Sequence, residues 1–230
     1  MFYPLVMVPG LRCDGFLYQP IIPRLGGSIA PVIADVSLDD SIAGMAGRIL
    51  AAAPPRFALA GLSMGGYVVL EIMRQAPERV THLALLDTNA RPDSEERKQA
   101  RLAEMELVRQ GKSTLVSRMA LPGLLAPAHL DGPVADQVHD MAMRVGTDTY
   151  MRQQTAIMGR IDSRPFLPGI AVPTLVGVGA EDKLIPLRLS EEMAELIPEA
   201  ELVIFPDAGH VPTLENPAAV AEAMNNWLKR

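Results

Sequence analysis

The sequence lacks the features that would place it in a membrane, in an oxidising compartment or on nucleic acid. Cys13 is the one cysteine in 230 residues, so no internal disulfide can form. No stretch approaches the roughly 18 uninterrupted apolar residues of a membrane span, and the start, MFYPLVMVPG, has no positively charged segment typical of a signal peptide. Acidic residues outnumber basic ones by 27 to 21, which argues against nucleic acid or an anionic membrane as a partner. We therefore expect a soluble, cytoplasmic protein.

Aromatic residues are also scarce, at 4%, although 49% of the chain is hydrophobic. That share is typical of globular domains and excludes wholesale disorder. The core must then be aliphatic and rich in the 13 methionines. At this length we expect a single domain over residues 1–230, with an insertion described below. The composition does not indicate an oligomeric state.

Short apolar runs alternate with helical patterns along most of the chain. The runs predict six strands, at residues 5–8, 29–36, 57–60, 80–86, 174–178 and 202–205. Helices are predicted over residues 41–52, 64–75, 186–197 and 217–228. Continuous apolarity in short strands indicates burial on both faces, and the alternating order is typical of an α/β fold. The sequence thus predicts a mostly parallel sheet of about six strands, flanked by helices.

The alternation stops between residues 89 and 160. Four helices are predicted there, over residues 93–110, 113–120, 134–145 and 147–158, with glycine and proline between them. This segment holds six of the methionines and is almost neutral, so the rest of the chain carries the acidic excess. A helical insertion between two parallel strands is a natural cap over the carboxyl edge of the sheet, although a helical excursion without a role would look similar.

The most informative motif is Gly61-Leu62-Ser63-Met64-Gly65, which lies between a predicted strand and a predicted helix. G-x-S-x-G in that context is a nucleophile elbow, a sharp turn that exposes the serine hydroxyl at a helix N-terminus. A glycine-rich turn is the alternative interpretation of so short a pattern. We predict that Ser63 is a nucleophile, which requires a base and a group to orient that base.

Among the four histidines, His210 is the best candidate for the base. It lies in the loop after the last predicted strand, on the same sheet edge as Ser63, whereas His82 falls in a strand and His129 and His139 fall in the insertion. Asp182 follows the fifth predicted strand, so the three residues occur in the chain order Ser, Asp, His, the order in which triad partners follow a G-x-S-x-G elbow. Two other acids stay open as alternatives, Glu181 beside it and Asp87 at the end of the fourth strand.

An oxyanion hole needs two donors near the serine. One is predicted to be the backbone N–H of Met64, directly after the nucleophile, and the other the N–H of Leu11 in the loop after the first strand. Arg12 beside it is a candidate to bind a substrate carboxylate, with a surface arginine as the alternative. Cys13 is interpreted as a packing residue. No metal-ligand spacing and no cofactor motif is visible, so neither a metal nor a cofactor is predicted.

The chain resembles the α/β-hydrolase superfamily, in particular the small capped serine hydrolases such as carboxylesterases and enol-lactonases. The resemblance rests on VPGLRCDG (8–15), GLSMGGYVVLEIMRQAPERV (61–80), VPTLVGVGAEDKLIP (172–186) and FPDAGHVPTLENP (205–217). Many relatives have His-Gly where this chain has Pro9-Gly10, and many begin with two further strands. Haloalkane dehalogenases and epoxide hydrolases share the fold but have Asp at the position of Ser63.

These observations predict a cofactor-independent serine hydrolase that acts on a small-molecule ester, lactone or thioester. Alternatives on the same residues are a C–C bond hydrolase or a perhydrolase, and a different class is a non-catalytic receptor that keeps the fold. Methionines of the insertion are candidates to line the substrate pocket, although methionine at helical spacing is usually core. The candidates are Met119, Met141, Met143 and Met158.

Overall fold

The computed structural model describes residues 3–230. Six strands form one parallel sheet in the order β2-β1-β3-β4-β5-β6. Their bounds are β1 Tyr3–Val8, β2 Ile29–Ile33, β3 Phe57–Leu62, β4 Val80–Leu86, β5 Thr174–Gly179 and β6 Ala200–Phe205. The predicted α/β fold with a six-stranded parallel sheet is confirmed.

Helices connect the strands and cover the sheet. Their bounds are α1 Ile42–Ala52, α2 Met64–Gln75, α3 Glu95–Arg109, α4 Ser113–Leu124, α5 Pro133–Met158, α6 Leu187–Leu196, α7 Pro212–Glu215 and α8 Pro217–Trp227. Three helices begin with a side-chain cap. Ser41, Ser94 and Asn216 each accept a backbone N–H from the first turn of α1, α3 and α8, respectively. No helix within residues 3–230 has the length and apolar character needed to cross a bilayer.

The sheet separates two aliphatic cores because successive strand residues point to opposite faces. In β1, Val6 and Val8 belong to the core shared with α1, α2 and α6, whereas Leu5 and Met7 belong to the core shared with α8. Trp227, the only tryptophan, is fully buried in the second core. Both faces of the central strands are therefore covered, as their continuous apolarity predicts.

Several boundaries differ from the sequence prediction for physical reasons. Strand β2 ends at Ile33 rather than at residue 36. Its ladder with β1 stops at the pair of Met7 and Ile33, and β1 itself ends one residue later at Val8, so residues 35 and 36 have no residue of β1 to pair with. Helix α4 continues past Pro122 to Leu124, since the bond from the Leu125 N–H to the Leu121 carbonyl keeps the last turn closed. The short helix α7 was not predicted from the sequence.

The segment between β4 and β5 is helical, with α3, α4 and α5 as its main elements. The last two predicted helices meet at Gly146, whose φ of +76° and ψ of 173° are not helical, so α5 consists of two helices joined at a kink. We call residues 89–160 the insertion. A separate apolar cluster of Met105, Val108, Val116 and Tyr150 packs its three helices together.

Candidate active site

Ser63 occupies a strained turn between β3 and α2. Its φ of +56° and ψ of −114° are rare for a residue with a side chain. The flanking glycines make the turn possible, because a Cβ on Gly65 would lie 2.0 Å from the Val8 carbonyl oxygen and one on Gly61 would lie 2.4 Å from that of Gly65. This geometry is that of the elbow that G-x-S-x-G predicts.

The three residues singled out from the sequence form one hydrogen-bonded chain. Ser63 Oγ lies 2.8 Å from His210 Nε2, and His210 Nδ1 lies 2.8 Å from Asp182 Oδ2. The other oxygen of Asp182 accepts the backbone N–H groups of Leu184 and Ile185 at 2.8 and 2.9 Å. Hydrogen bonds therefore hold both carboxylate oxygens of Asp182, and Asp182 in turn holds the imidazole.

Asp87, the alternative acid, is fully buried beside this chain but does not bond to His210. Its Oδ1 accepts the Gly179 N–H at 2.8 Å, while its Oδ2 has no hydrogen-bond donor in the described residues. Burial, together with the nearby charge of Asp182, raises the pKa of Asp87 well above its usual range. Asp87 is therefore a buried carboxyl group beside the hydrogen-bonded chain and not a member of it. Glu181 is exposed and takes no part in these contacts.

The loop that carries His210 is held by Glu215, a residue that sequence reasoning missed. Glu215 is buried, and its Oε1 accepts the N–H groups of Gly209 and Val211 at 3.0 and 3.1 Å. Its Oε2 accepts the N–H of Ala126, which follows α4, at 2.8 Å. One carboxylate thus ties both neighbours of His210 to the insertion. A glutamate in the otherwise apolar turn PTLE was the one available signal.

Backbone strain is concentrated where strands end. Among residues 3–230, the non-glycine residues with positive φ are Arg12, Ser63, Asp87 and Asp207. They follow β1, β3, β4 and β6, at the carboxyl edge of the parallel sheet. We call this edge, with the loop after β5, the rim. Strained residues persist only where their surroundings hold them in place, and they cluster at functional sites.

A cavity of about 680 Å³ lies between the rim and the insertion. Ser63, His210, Leu11 and Arg12 line it from the rim. The volume is within the range of small-molecule sites, roughly 300–1,000 Å³.

Of the four methionines singled out above, only Met119 lines this cavity. Met141 is fully buried in the core shared with α8, Met143 contacts Thr114, and Met158 packs against the cluster within the insertion.

The two backbone groups predicted for the oxyanion hole lie in the loop after β1 and directly after Ser63 in the chain. In the described residues, neither the Leu11 N–H nor the Met64 N–H has a hydrogen-bond acceptor. Leu11 lines the cavity, while the side chain of Met64 is buried at the start of α2. Gln153 of α5 fixes the loop, because its Oε1 accepts the Arg12 N–H at 3.0 Å. Gln153 is a second residue without a sequence signal.

A second Ser–His pair lies beside the same cavity, with Ser117 in the cavity wall, but it lacks an acid. Ser117 Oγ lies 3.0 Å from His139 Nδ1, and no carboxylate in the described residues bonds to that imidazole. His82 contacts the Tyr3 hydroxyl at 2.9 Å and packs edge-on against Trp227, and His129 Nε2 lies 3.3 Å from the Asp207 carbonyl oxygen. Of the four histidines, only His210 bonds to both a serine and an aspartate.

Other reactive groups near the cavity are already engaged or neutral. Asp87, Asp182 and His210 offer potential metal-ligand atoms within 4.8 Å of one another. Both ring nitrogens of His210 are hydrogen-bonded, however, so a cation there would have to displace Ser63 or Asp182. Burial raises the pKa of the Cys13 thiol to about 12, so Cys13 is protonated at neutral pH and is not a thiolate nucleophile.

Comparisons with known proteins find relatives and similar structures that cover nearly the whole chain. The chain is 27% identical over 241 residues to pimeloyl-[acyl-carrier protein] methyl ester esterase of Xanthomonas oryzae pv. oryzae, and the match covers 97% of this chain and 94% of the relative. Among solved structures, an esterase from Thermogutta terrifontis with malate bound is 28% identical, with a TM-score of 0.86 over 99% of this chain and 89% of that one. The enol-lactonase from Burkholderia xenovorans LB400 shares the fold at a TM-score of 0.91 and 22% identity, covering 100% of this chain and 92% of that one.

A family model supplies the assignment. The model described as the alpha/beta hydrolase family matches residues 5–223, which is nearly the whole chain. The matched region contains the elbow, the loops after β5 and β6, and the insertion. The chain is therefore a member of the alpha/beta hydrolase family, as its sequence motifs predict.

Proposed function

We propose that the protein hydrolyses carboxylic esters, lactones or thioesters through an acyl-enzyme on Ser63. The observation that carries the proposal is the continuous chain from Ser63 Oγ through His210 to Asp182, with its serine end in the wall of the cavity. The esterase names of the relatives from Xanthomonas oryzae and Thermogutta terrifontis, both above 25% identity, support the same chemistry.

In the first half-reaction, Ser63 Oγ attacks the scissile carbonyl carbon while its proton passes to His210 Nε2. The carbonyl oxygen becomes an oxyanion, and the free N–H groups of Leu11 and Met64 are positioned to stabilise it. Asp182 keeps His210 Nδ1 protonated and stabilises the imidazolium. When the tetrahedral intermediate collapses, the C–O bond to the alcohol breaks and His210 returns the proton to the leaving oxygen.

The second half-reaction repeats these steps with water. His210 Nε2 takes a proton from a water molecule, the resulting hydroxide attacks the acyl carbon, and the bond to Ser63 Oγ breaks as His210 protonates that oxygen. The products are a carboxylic acid and the free enzyme. None of these steps requires a cofactor.

The Ser117–His139 pair offers a matched control for the proposal. A phosphonate probe should give one adduct per chain, located by mass spectrometry on the segment that contains Ser63. Ser63→Ala should abolish labelling and lower ester hydrolysis by several orders of magnitude, leaving what binding and the oxyanion donors supply. Ser117→Ala should keep both, because His139 has no acid to orient it.

Three results would contradict the proposal. Labelling on Ser117 would move the nucleophile to the insertion, and an unlabelled protein that hydrolyses no short aryl ester near pH 8 would favour a receptor. Labelling of Ser63 without hydrolysis of esters, lactones or thioesters would instead favour C–C bond or perhydrolase chemistry on the same residues.

A further inference from the structure

Arg12 is a buried guanidinium group in the wall of the cavity, and it has no carboxylate partner. The residue is 9% exposed and follows Leu11 directly. Its Nη2 donates to Ser113 Oγ at 2.8 Å, its plane lies over the Tyr150 ring at 4.0 Å, and its Nε is buried without an acceptor. Within residues 3–230, the hydrogen bonds and ion pairs of this side chain include no carboxylate oxygen.

A buried charge without a counterion is costly, and buried charges in proteins are normally paired. Burial accordingly lowers the pKa of Arg12. Arg101 and Arg160 show the usual solution in the same cavity wall. Both are buried, and both contact the carboxylate of Asp93, at 2.6 and 2.8 Å.

The acidic side chains that line the cavity do not fill this role for Arg12. Asp93 is held by Arg101 and Arg160. Glu104 accepts from the Tyr150 hydroxyl at 3.4 Å and lies 4.0 Å from Arg97. Its charge acts to raise the pKa of Arg12, against the larger effect of burial, but no hydrogen bond or ion pair joins the two side chains. The guanidinium of Arg12 lies instead over the face of the Tyr150 ring.

We propose that Arg12 binds a carboxylate of the substrate, so that the preferred substrates are esters or lactones with a second, ionised carboxyl group. This inference rests on the function proposed above. Arg12 is the residue after Leu11, and consecutive Cα atoms are about 3.8 Å apart, so its side chain starts next to the oxyanion donor. The substrate carboxylate therefore lies a short chain away from the scissile carbonyl.

The test compares two esters that differ only in charge. Mono-4-nitrophenyl glutarate carries a free carboxylate, and the mixed methyl 4-nitrophenyl diester of the same acid does not. Arg12→Met should lower kcat/KM for the charged ester by about 10- to 100-fold, mainly through KM, because a desolvated charge-assisted pair is lost. The same variant should lower hydrolysis of the neutral diester by a much smaller factor, because that ester has no carboxylate for Arg12 to bind.

Arg188→Met is the matched control, since Arg188 lines the same cavity but is exposed. It should leave the preference for the charged ester in place. If Arg188→Met removes that preference, or if wild type hydrolyses both esters equally well, the proposal for Arg12 is overturned while ester hydrolysis stands. If Arg12→Met does not fold, Arg12→Lys keeps the charge without the planar fork, and a loss of preference is still expected.

A binding measurement keeps the test independent of the chemistry. Calorimetric titration with glutarate should show binding to wild type that weakens at least about tenfold in Arg12→Met, while neutral glutaramide binds neither protein measurably. Failure of the proposed function would appear as an unlabelled Ser63 and no ester hydrolysis. Glutarate binding that depends on Arg12 would support the anion site even then, and its absence would overturn the site.

Discussion

Asp87 and Asp93 are six positions apart and both have buried carboxyl groups, but their pKa values are shifted in opposite directions. Asp87 belongs to the rim and has one backbone donor, and burial raises its pKa well above the usual range. Asp93 begins the insertion. Burial acts to raise its pKa as well, but hydrogen bonds from Arg101 and Arg160 outweigh that effect and lower it.

The contrast reflects two ways of holding polar groups. At the rim, backbone N–H groups hold the carboxylates of Asp182 and Glu215, and turns fixed by the ends of the strands present those N–H groups. In the insertion, helices leave few free N–H groups, so side chains from different helices must pair with one another. The rim is thus set by strand geometry, and the insertion by tertiary packing.

The largest expected effect comes from replacing Asp182, the acid that bonds to His210 at the rim. Asp182→Asn should lower kcat for ester hydrolysis by about 10⁴, as the equivalent change does in a serine protease triad, because the imidazole loses its oriented tautomer. Asp87→Asn should cost far less, since Asp87 does not bond to His210. Steady-state kinetics of the two variants decides the point. The reverse ranking would move the acid to the end of β4.

In the insertion, we expect the loss of stability to come from replacing Asp93. Asp93→Asn leaves the buried guanidinium groups of Arg101 and Arg160 without their shared counterion and should lower the free energy of unfolding by about 3–5 kcal/mol. Urea unfolding at neutral pH measures this. Asp162→Asn is the control, because its ion pair with Arg164 is more than one-third exposed and should contribute at most about 1 kcal/mol. If both variants lose the same free energy of unfolding, the buried ion pairs of Asp93 contribute no more to stability than the exposed pair of Asp162 and Arg164.

Glu215 lies where the two regions meet, and its loss should have an intermediate effect. A glutamine has one carbonyl oxygen, so Glu215→Gln cannot satisfy the N–H groups of Gly209, Val211 and Ala126 together. A buried, unsatisfied N–H costs about 1–3 kcal/mol, and we expect a loss of unfolding free energy of that size.

The same variant should also lower kcat, because the loop of His210 loosens. Glu201→Gln, at an exposed site near Arg230, is the matched substitution and should change neither quantity. A Glu215→Gln protein with wild-type melting temperature and wild-type kcat would contradict the assigned role.

The same contrast explains what could be predicted from the sequence. Ser63, Asp182 and His210 each follow a strand, and because the carboxyl ends of parallel strands share one edge, their chain positions alone indicated that they meet. Glu215, Gln153 and the Asp93 network depend on how the insertion packs, which no local pattern encodes. The methionines show the limit most clearly. Helical spacing could not distinguish Met119, at the cavity, from Met141, in the core.

The last prediction concerns Asp87 itself, where the change in stability per pH unit is small. Because its folded-state pKa is raised, the stability that comes from burying the neutral carboxyl is fully present below the pKa of the unfolded chain, near 3.9. It is lost as pH rises towards the folded-state pKa, since only the unfolded chain releases the proton. Asn cannot ionise and has the same shape, so Asp87→Asn should avoid this loss.

Relative to wild type, Asp87→Asn should therefore gain stability from about pH 4 upwards, by at most about 1.4 kcal/mol per pH unit. Urea unfolding of both proteins between pH 4 and pH 8 gives the difference directly. The amide oxygen can still accept the Gly179 N–H, so the comparison changes little besides the proton. A difference that does not vary with pH would mean that Asp87 is ionised in the folded protein. The contrast with Asp93 would then lie in their hydrogen-bond partners alone, and not in their charge.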